Sequence, residues 1–379
     1  MRRDTEVDTK CCSQELRNKI FFHCLYTVSY ITGVSSMINK KSLVFFLVLS
    51  IFGVMGTLIF TSNAASLSDV VSQINVGFLI LCLIGVPILD WLVAGLRMWL
   101  FTSAICPSVP YLACVRNCAI GSFMCSVTPS QTGGGIAQIW VLTQEGAKAG
   151  QAITVLLMTF LTSLMFYLVA AAFLWLASDH IIFPTTINSS VFASAVTVFA
   201  LVAGGLLLAL LYPSYVIKLI GFYSNKLNEE SAFKKYSLKF AGWLKDSSIA
   251  SQMIIKKHKT RFFLAILLSI VIFCNKFFAA YLAARALGID VSLEQVLIIQ
   301  MFLNIILYFL PTPGGSGGAE IGSAMLMASI IPGSLLAAHT IIWRSALAYL
   351  AVVVGGLFFV WYLHRATKKA EQNTGLQVQ

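Results

Sequence analysis

Charged side chains occur deep within strongly apolar stretches of this sequence, where a charge needs a physical reason. These residues are Asp90, Lys276, Glu320 and Arg344. A charge inside a membrane costs several kcal/mol unless it is paired or exposed to a polar cavity. The sequence therefore predicts either mutual pairing that holds a helix bundle together, or contact with a polar head group or a coupling proton. Asn304 is a further candidate, whereas Arg97 is expected to extend toward the membrane surface.

Two segments rich in glycine and proline offer a different chemistry. The first glycine turn (residues 128–135) reads TPSQTGGG, and the second glycine turn (residues 311–320) reads PTPGGSGGAE. A helix that begins after such a turn presents free N–H groups and a positive dipole end, to which phosphate or carboxylate can bind. Alternatively, the glycines allow close helix packing. The candidate binding glycines are Gly133, Gly134, Gly314, Gly315, Gly317 and Gly318.

The elements that carry these residues must be membrane helices. Residues AVILMFWYC make up 58% of the 379 positions, and only 11% are charged. Soluble domains are about 25% charged. Apolar runs of the roughly 20 residues needed to cross a bilayer predict six full transmembrane helices. They lie near 43–60, 78–100, 151–177, 190–211, 262–284 and 335–363.

The glycine turns interrupt two further apolar segments, residues 111–145 and 293–330. Because proline cannot continue a helix interior and glycine permits sharp reversals, each segment is predicted to be a re-entrant broken hairpin. Irregular backbone at such depth is tolerated only where protein or a wet cavity covers it.

The two halves of the chain align without a gap. Thr128-Pro129 falls on Thr312-Pro313, and the same offset brings the span and hairpin order of 78–177 onto that of 262–361. We therefore predict an all-α polytopic fold built from two repeat units of inverted topology. Transporters of this architecture hold their substrate at mid-membrane between broken helices.

Basic residues indicate how the chain is oriented. They concentrate in an N-terminal segment (1–42), a central loop (212–261) and a C-terminal tail (364–379), and are scarce in the intervening loops. Since Lys and Arg remain on the cytoplasmic side, these three regions are predicted to be cytoplasmic. Residues 43–363 then form one transmembrane domain in the cell (inner) membrane.

Other classes of site have little support in the sequence. The cysteines show no paired metal-ligand spacing and the histidines are scattered, so no metal or cofactor is expected. The net charge of +11 gathers beside span ends, where it suits anionic lipid head groups rather than nucleic acid. His339 and Ser345 beside Arg344 lack a second acid or base. We therefore expect no enzyme activity.

The second glycine turn, preceded by Asn304 and followed by Arg344, resembles the signature of the lysylphosphatidylglycerol synthase transmembrane, or flippase-like, family. The resemblance covers about 40–365, and the first glycine turn departs from it at Ser130, Gln131, Thr132 and Gln138. It implies a stand-alone member that moves or binds a phosphate-bearing lipid, of the aminoacyl-phospholipid or polyprenyl/glycolipid type. A separate lipid-modifying transferase is a possible partner.

Two alternatives remain open at this stage. A small-solute or ion transporter would share the inverted repeat. A membrane partner of a lipid-modifying enzyme would have the same fold without transport. The sequence leaves the lipid, the direction, the driving force and the oligomeric state undetermined.

Overall fold

The computed structural model describes residues 72–176, 189–212, 257–308 and 310–375, together with single positions near 44–55 and at 218. Within these ranges the chain is helical and contains no strand. The predicted span at 43–60, the N-terminal segment 1–42 and most of the loop 212–261 lie outside the described residues.

Nine helices are numbered here in chain order, all of them within the described ranges from residue 76 onward. Three are α1 (Val76–Ile105), α2 (Tyr111–Val127) and α3 (Gly133–Gln144). Then come α4 (Ala149–Leu176), α5 (Ser189–Leu211) and α6 (Lys259–Ala286). The last are α7 (Leu293–Leu307), α8 (Gly318–Met327) and α9. The helix α9 has three parts: an α-helical segment (Gly333–Arg344), a π-helical turn (Ser345–Tyr349) and a second α-helical segment (Leu350–Gly375).

Four of the described helices are long and apolar enough to cross a membrane: α1, α4, α6 and the Gly333–Lys368 part of α9. They coincide with the spans predicted at 78–100, 151–177, 262–284 and 335–363. The predicted span at 190–211 corresponds to α5, whose apolar stretch Ala193–Leu208 is shorter. Large apolar side chains such as Ile84, Leu92 and Val169 are exposed on the outer surface, as lipid-facing helices require.

The predicted hairpins at 111–145 and 293–330 are each two short helices joined by a glycine turn. The helices α2 and α3 pack against each other, and so do α7 and α8. Each turn begins as a 3₁₀ turn, Pro129–Gln131 or Pro313–Gly315. The two turns meet directly, because the Ser130 N–H donates to the Pro311 carbonyl at 3.3 Å.

The first helices of the two halves, α1 and α6, run antiparallel along each other. The Asn75 N–H, at the start of α1, donates to the carbonyl of Ala286 at the end of α6 (2.8 Å). At the opposite end, Arg261 donates to the carbonyl of Leu100 (3.2 Å). Between these ends, the Asn275 amide donates to the Val86 carbonyl (2.9 Å), which satisfies a polar group in the apolar interior.

Candidate functional site

A polar cavity of about 420 Å³ lies where the two halves meet. Its wall takes residues from α1, α2, α3, α4, α6, α7 and α9, and from both glycine turns. The π-helical turn of α9 contributes Ala346, Leu347 and Ala348, directly after Arg344. Such π turns within helices occur frequently at functional sites. The volume falls in the range of small-molecule sites, about 300–1,000 Å³.

The cavity wall carries more positive than negative charge. Its charged residues, within the part of the chain that the structure describes, are Asp90, Arg97, Lys276 and Arg344. Asp90 and Lys276 form an ion pair between α1 and α6, with Oδ1 and Nζ 3.7 Å apart. The side chain of Lys276 remains 35% exposed. The other two cations of the wall, Arg97 and Arg344, are not part of this ion pair.

Arg97 is positioned by neutral groups. Its Nη1 donates to the hydroxyls of Ser163 on α4 (2.8 Å) and Ser269 on α6 (2.9 Å), and no ion pair to a carboxylate forms within the described residues. The buried Nε has no hydrogen-bond partner there either. The expectation that Arg97 extends toward the membrane surface is therefore wrong, because its side chain points into the bundle and lies on the cavity wall.

Arg344, in contrast, is held by a carboxylate behind the cavity wall. Its Nε donates to Glu320 Oε1 at 2.9 Å, and both side chains are almost completely buried. The other Glu320 oxygen accepts the Gly317 N–H (2.7 Å), and the hydroxyl of Tyr349 donates to Oε1 at 3.5 Å. Because Arg344 also donates to the Gly314 carbonyl (3.4 Å), this pair fixes the second glycine turn against α9.

One backbone N–H group in each glycine turn already has a side-chain partner. The Gly133 N–H donates to Thr128 Oγ1 (2.9 Å), and the Gly317 N–H donates to Glu320. These two N–H groups are therefore not free, because each turn supplies its own acceptor. The prediction that an anion binds at the N-terminal ends of α3 and α8 stays a prediction.

The alternative role of the glycines, close packing, explains several of them. A Cβ at Gly133 would lie 2.5 Å from Thr128 Cγ2, one at Gly134 would lie 2.2 Å from Cys125 Sγ, and one at Gly318 would lie 2.4 Å from Leu310 Cδ1. Gly314, Gly315 and Gly317 have positive φ angles of 58°, 68° and 81°, which L side chains adopt only with strain. Close packing or a positive φ angle thus accounts for glycine at these six positions without a ligand.

The structure brings about half of the predicted site residues onto the cavity wall. These are Asp90, Gly134, Lys276, Asn304, Gly314 and Arg344. Glu320 lies directly behind the wall through its contact with Arg344. The cavity is not lined by Gly133, Gly315, Gly317 or Gly318.

Sequence reasoning missed Arg97 although a signal was present. Asp90 and Arg97 are seven residues apart on one helix. Seven residues rotate a helix by about 700°, which is close to two full turns, so both side chains lie on the same face. Gln131 and Gln138, where the sequence departs from the family signature, also line the cavity, as do Tyr167 and Tyr308, which no sequence pattern distinguished. Among the described residues, no group of three or more His, Cys, Asp or Glu side chains could hold a metal ion.

A helical membrane domain with two broken hairpins meeting at a charged cavity defines a class of polytopic membrane proteins. The family model described as "Lysylphosphatidylglycerol synthase TM region" matches residues 42–355. The chain therefore belongs to this family. It is also 25% identical over 266 residues to a "UPF0104 membrane protein" of Archaeoglobus fulgidus, an alignment that covers 67% of this chain and 77% of that protein.

Proposed function

We propose that this protein binds a lipid with an anionic, phosphate-bearing head group in the cavity and moves it across the membrane. The observation that carries the proposal is Arg97, a cation on the cavity wall whose hydrogen bonds among the described residues go to the neutral Ser163 and Ser269 hydroxyls. A guanidinium suits phosphate because its donors match two phosphate oxygens at once. Family membership independently supports a lipid-related role.

The rest of the wall supports the same kind of guest. Lys276 is paired with Asp90 only at 3.7 Å and keeps about a third of its side chain exposed, so it can also turn toward an anion. Ser122, Asn304 and Gln138 add neutral hydrogen-bonding groups to the lining. A cationic substituent of the head group would pair with Asp90.

The size of the cavity favours a head group rather than a whole lipid. A volume of about 420 Å³ holds a phosphate and a small substituent, but not two acyl chains. The outer surface, by contrast, carries exposed apolar side chains along α1 and α4. In our proposal the acyl chains remain in the bilayer while the head group passes between the halves.

An inverted repeat would provide the movement. Antiparallel α1 and α6, together with glycine turns that meet at Ser130 and Pro311, support two units of opposite orientation. In this topology the hairpin α2–α3 enters from the cytoplasm and α7–α8 from the outside, with both termini cytoplasmic. Rocking of one unit against the other would expose the cavity to each side in turn.

The proposal is tested by measuring lipid movement in vesicles that contain the purified protein. Fluorescent phosphatidylglycerol is incorporated into phosphatidylethanolamine/phosphatidylglycerol vesicles, and a membrane-impermeant quencher reports how fast the label changes leaflet. We expect Arg97→Gln to abolish the protein-dependent exchange. Arg261→Gln is the matched control, because Arg261 also donates to α1, at Leu100 and Ser103, but does not line the cavity.

Three results would contradict the proposal. They are no exchange above empty vesicles by the wild-type protein, equal exchange by Arg97→Gln, and uptake of a water-soluble phosphate ester in place of lipid exchange. The last result would assign the cavity to a small-solute transporter.

A further inference from the structure

A group of buried polar side chains lies in the second half of the molecule, away from the cavity wall. Its members are Gln300, Ser323, His339 and Thr340. All four are at most 1% exposed, and their side-chain polar atoms, apart from His339 Nε2, have no hydrogen-bond partner among the described residues. An unsatisfied polar atom costs about 1–3 kcal/mol, so each of these atoms calls for an explanation.

The group adjoins the ion pair behind the cavity. Ser323 follows Glu320 by three residues on α8, and Thr340 precedes Arg344 by four residues on α9. Residues at these spacings are neighbours on one helix face. Gln300 likewise precedes the cavity residue Asn304 by four residues on α7, where the Asn304 amide donates to the Gln300 carbonyl (2.9 Å). Ser323 and Thr340 therefore each lie about one helical turn from a member of the Glu320–Arg344 ion pair, and Gln300 lies one turn from the cavity residue Asn304.

His339, next to Thr340 on α9, carries a buried proton-accepting atom. Its Nε2 lies 2.9 Å from the Ala280 carbonyl, which can only accept, so Nε2 carries the hydrogen. In the neutral ring, Nδ1 is then a bare acceptor, and it has no partner among the described residues. On α6, Lys276 lies one turn before Ala280. On α1, the Cys82 thiol donates to the Ala279 carbonyl (3.4 Å).

The charges of the Glu320–Arg344 ion pair indicate what the four buried polar residues can do. Glu320 is faced by Arg344 and Tyr349 from α9, while α7 carries amides at Gln300 and Asn304 and a carboxylate only in its first turn, at Glu294. A lipid phosphate that replaces Glu320 as the partner of Arg344 would leave the buried carboxylate unpaired, at a cost of several kcal/mol. Protonation of Glu320 removes that charge and keeps the net charge of the site constant.

We propose, building on the lipid-transport function above, that Gln300, Ser323, His339 and Thr340 form a proton path to Glu320 and that lipid movement is coupled to proton movement. A proton enters from the side on which α7–α8 opens and binds at His339 Nδ1. Water held by the Ser323 and Thr340 hydroxyls passes it on, so that the N–H bond at Nδ1 breaks and an O–H bond forms on Glu320. Arg344 then binds the phosphate. When the cavity opens to the other side and the phosphate leaves, Arg344 returns to Glu320, the O–H bond on Glu320 breaks, and the proton passes to water in the cavity on that side.

The test measures lipid exchange and proton uptake in the same vesicles. Fluorescent phosphatidylglycerol reports exchange, and a pH-sensitive dye trapped inside reports protons after an acidic exterior is imposed. For the wild-type protein we expect the gradient to accelerate lipid exchange and the interior to acidify only when phosphatidylglycerol is present. The double variant S323A/T340V, which removes both hydroxyls with little change in volume, should lose the lipid-dependent acidification.

Two further variants keep the result interpretable. Thr197→Val removes a hydroxyl on the exposed face of α5, where it donates to the Ala193 carbonyl, and should behave as wild type. Glu320→Gln mimics the protonated carboxyl and keeps an oxygen for Arg344. It should exchange lipid at a rate that no longer depends on the gradient, with no proton uptake.

The outcomes separate this inference from the proposed function. Wild-type exchange that proceeds equally with and without the gradient, or without acidification, overturns the proton path and leaves lipid transport standing. Wild-type proton uptake in S323A/T340V also overturns it. If the wild-type protein exchanges no lipid under any gradient, the transport function itself is wrong.

Discussion

The two glycine turns begin with the same backbone conformation but are stabilised by different chemistry. Ser130 and Gln131 have φ angles of 51° and 57°, and the aligned Gly314 and Gly315 have 58° and 68°. Beyond this point the first turn enters α3 directly, whereas the second makes one more left-handed step at Gly317 (φ 81°) before α8.

The difference lies in what satisfies the start of each half-helix. In the first turn, a neutral hydroxyl of Thr128 accepts the Gly133 N–H. In the second, the Glu320 carboxylate accepts the Gly317 N–H and also holds Arg344 on α9. The first turn is therefore fixed locally. The second is tied to a distant helix by a charge, which makes its conformation sensitive to whatever changes that charge.

Removal of this charged connection should produce the largest effect on stability. Glu320→Ala leaves Arg344 buried without its carboxylate, and breaking a buried pair in this way costs about 3–5 kcal/mol. We expect a large fall in the thermal unfolding midpoint of the detergent-solubilised protein, followed by intrinsic tryptophan fluorescence. Because an apolar pair can replace a buried ion pair, the double variant Glu320→Ala/Arg344→Met should be more stable than Glu320→Ala alone. If it is less stable, the two residues are not coupled as a pair.

Alanine at the aligned glycines should be intermediate in effect and should distinguish two causes. Gly133→Ala places a methyl 2.5 Å from Thr128 Cγ2, and overpacking of this kind costs about 1–3 kcal/mol. Gly317→Ala instead forces a left-handed backbone, at about 1–2 kcal/mol. We therefore expect Thr128→Ala to recover part of the loss in Gly133→Ala, although it also removes the cap.

The substitution Thr128→Ala also serves as the control for Gly317→Ala at the second turn. In the double variant Thr128→Ala/Gly317→Ala, the loss of stability from Thr128→Ala should add to the loss from Gly317→Ala. No stability should be recovered, because the strain at residue 317 lies in the backbone and not in a contact with Thr128. Equal recovery in both double variants would show that the turns are constrained in the same way.

The sequence predicted the apolar helices well because span length and apolar content are local properties. It also predicted both breaks, since proline and glycine act within a few residues. It could not predict that Gly133 and Gly317 already have acceptors, or that Gly134 is packed against Cys125, because these contacts depend on how the chain folds back. The inward position of Arg97 likewise depends on Ser163 and Ser269, which come from distant parts of the chain.

Loss of the neutral cap should have a smaller effect than loss of the charged one. Thr128→Val keeps the shape of the side chain but removes the acceptor of the Gly133 N–H, and a lost helix cap typically costs about 1 kcal/mol. Thermal unfolding should show a modest decrease. Thr132→Val is the matched control, because the exposed Thr132 hydroxyl only donates to the Pro129 carbonyl (3.0 Å) and should be nearly neutral. A Thr128→Val loss as large as that of Glu320→Ala would remove the distinction between the turns.

The smallest effect should be a gain in stability at the shared left-handed position. Ser130 is exposed and adopts φ 51°, where a non-glycine residue is strained by about 1–2 kcal/mol. Ser130→Gly relieves this strain, but the greater freedom of glycine in the unfolded chain offsets part of the gain. We expect an increase in unfolding midpoint equivalent to less than about 1 kcal/mol. The reverse substitution in the second turn, Gly314→Ser, should destabilise the protein, because it introduces the same backbone strain. It also disturbs the Gly314 carbonyl, which accepts a hydrogen bond from Arg344. If Ser130→Gly destabilises the protein instead, the two turns do not share the backbone conformation from which their comparison starts.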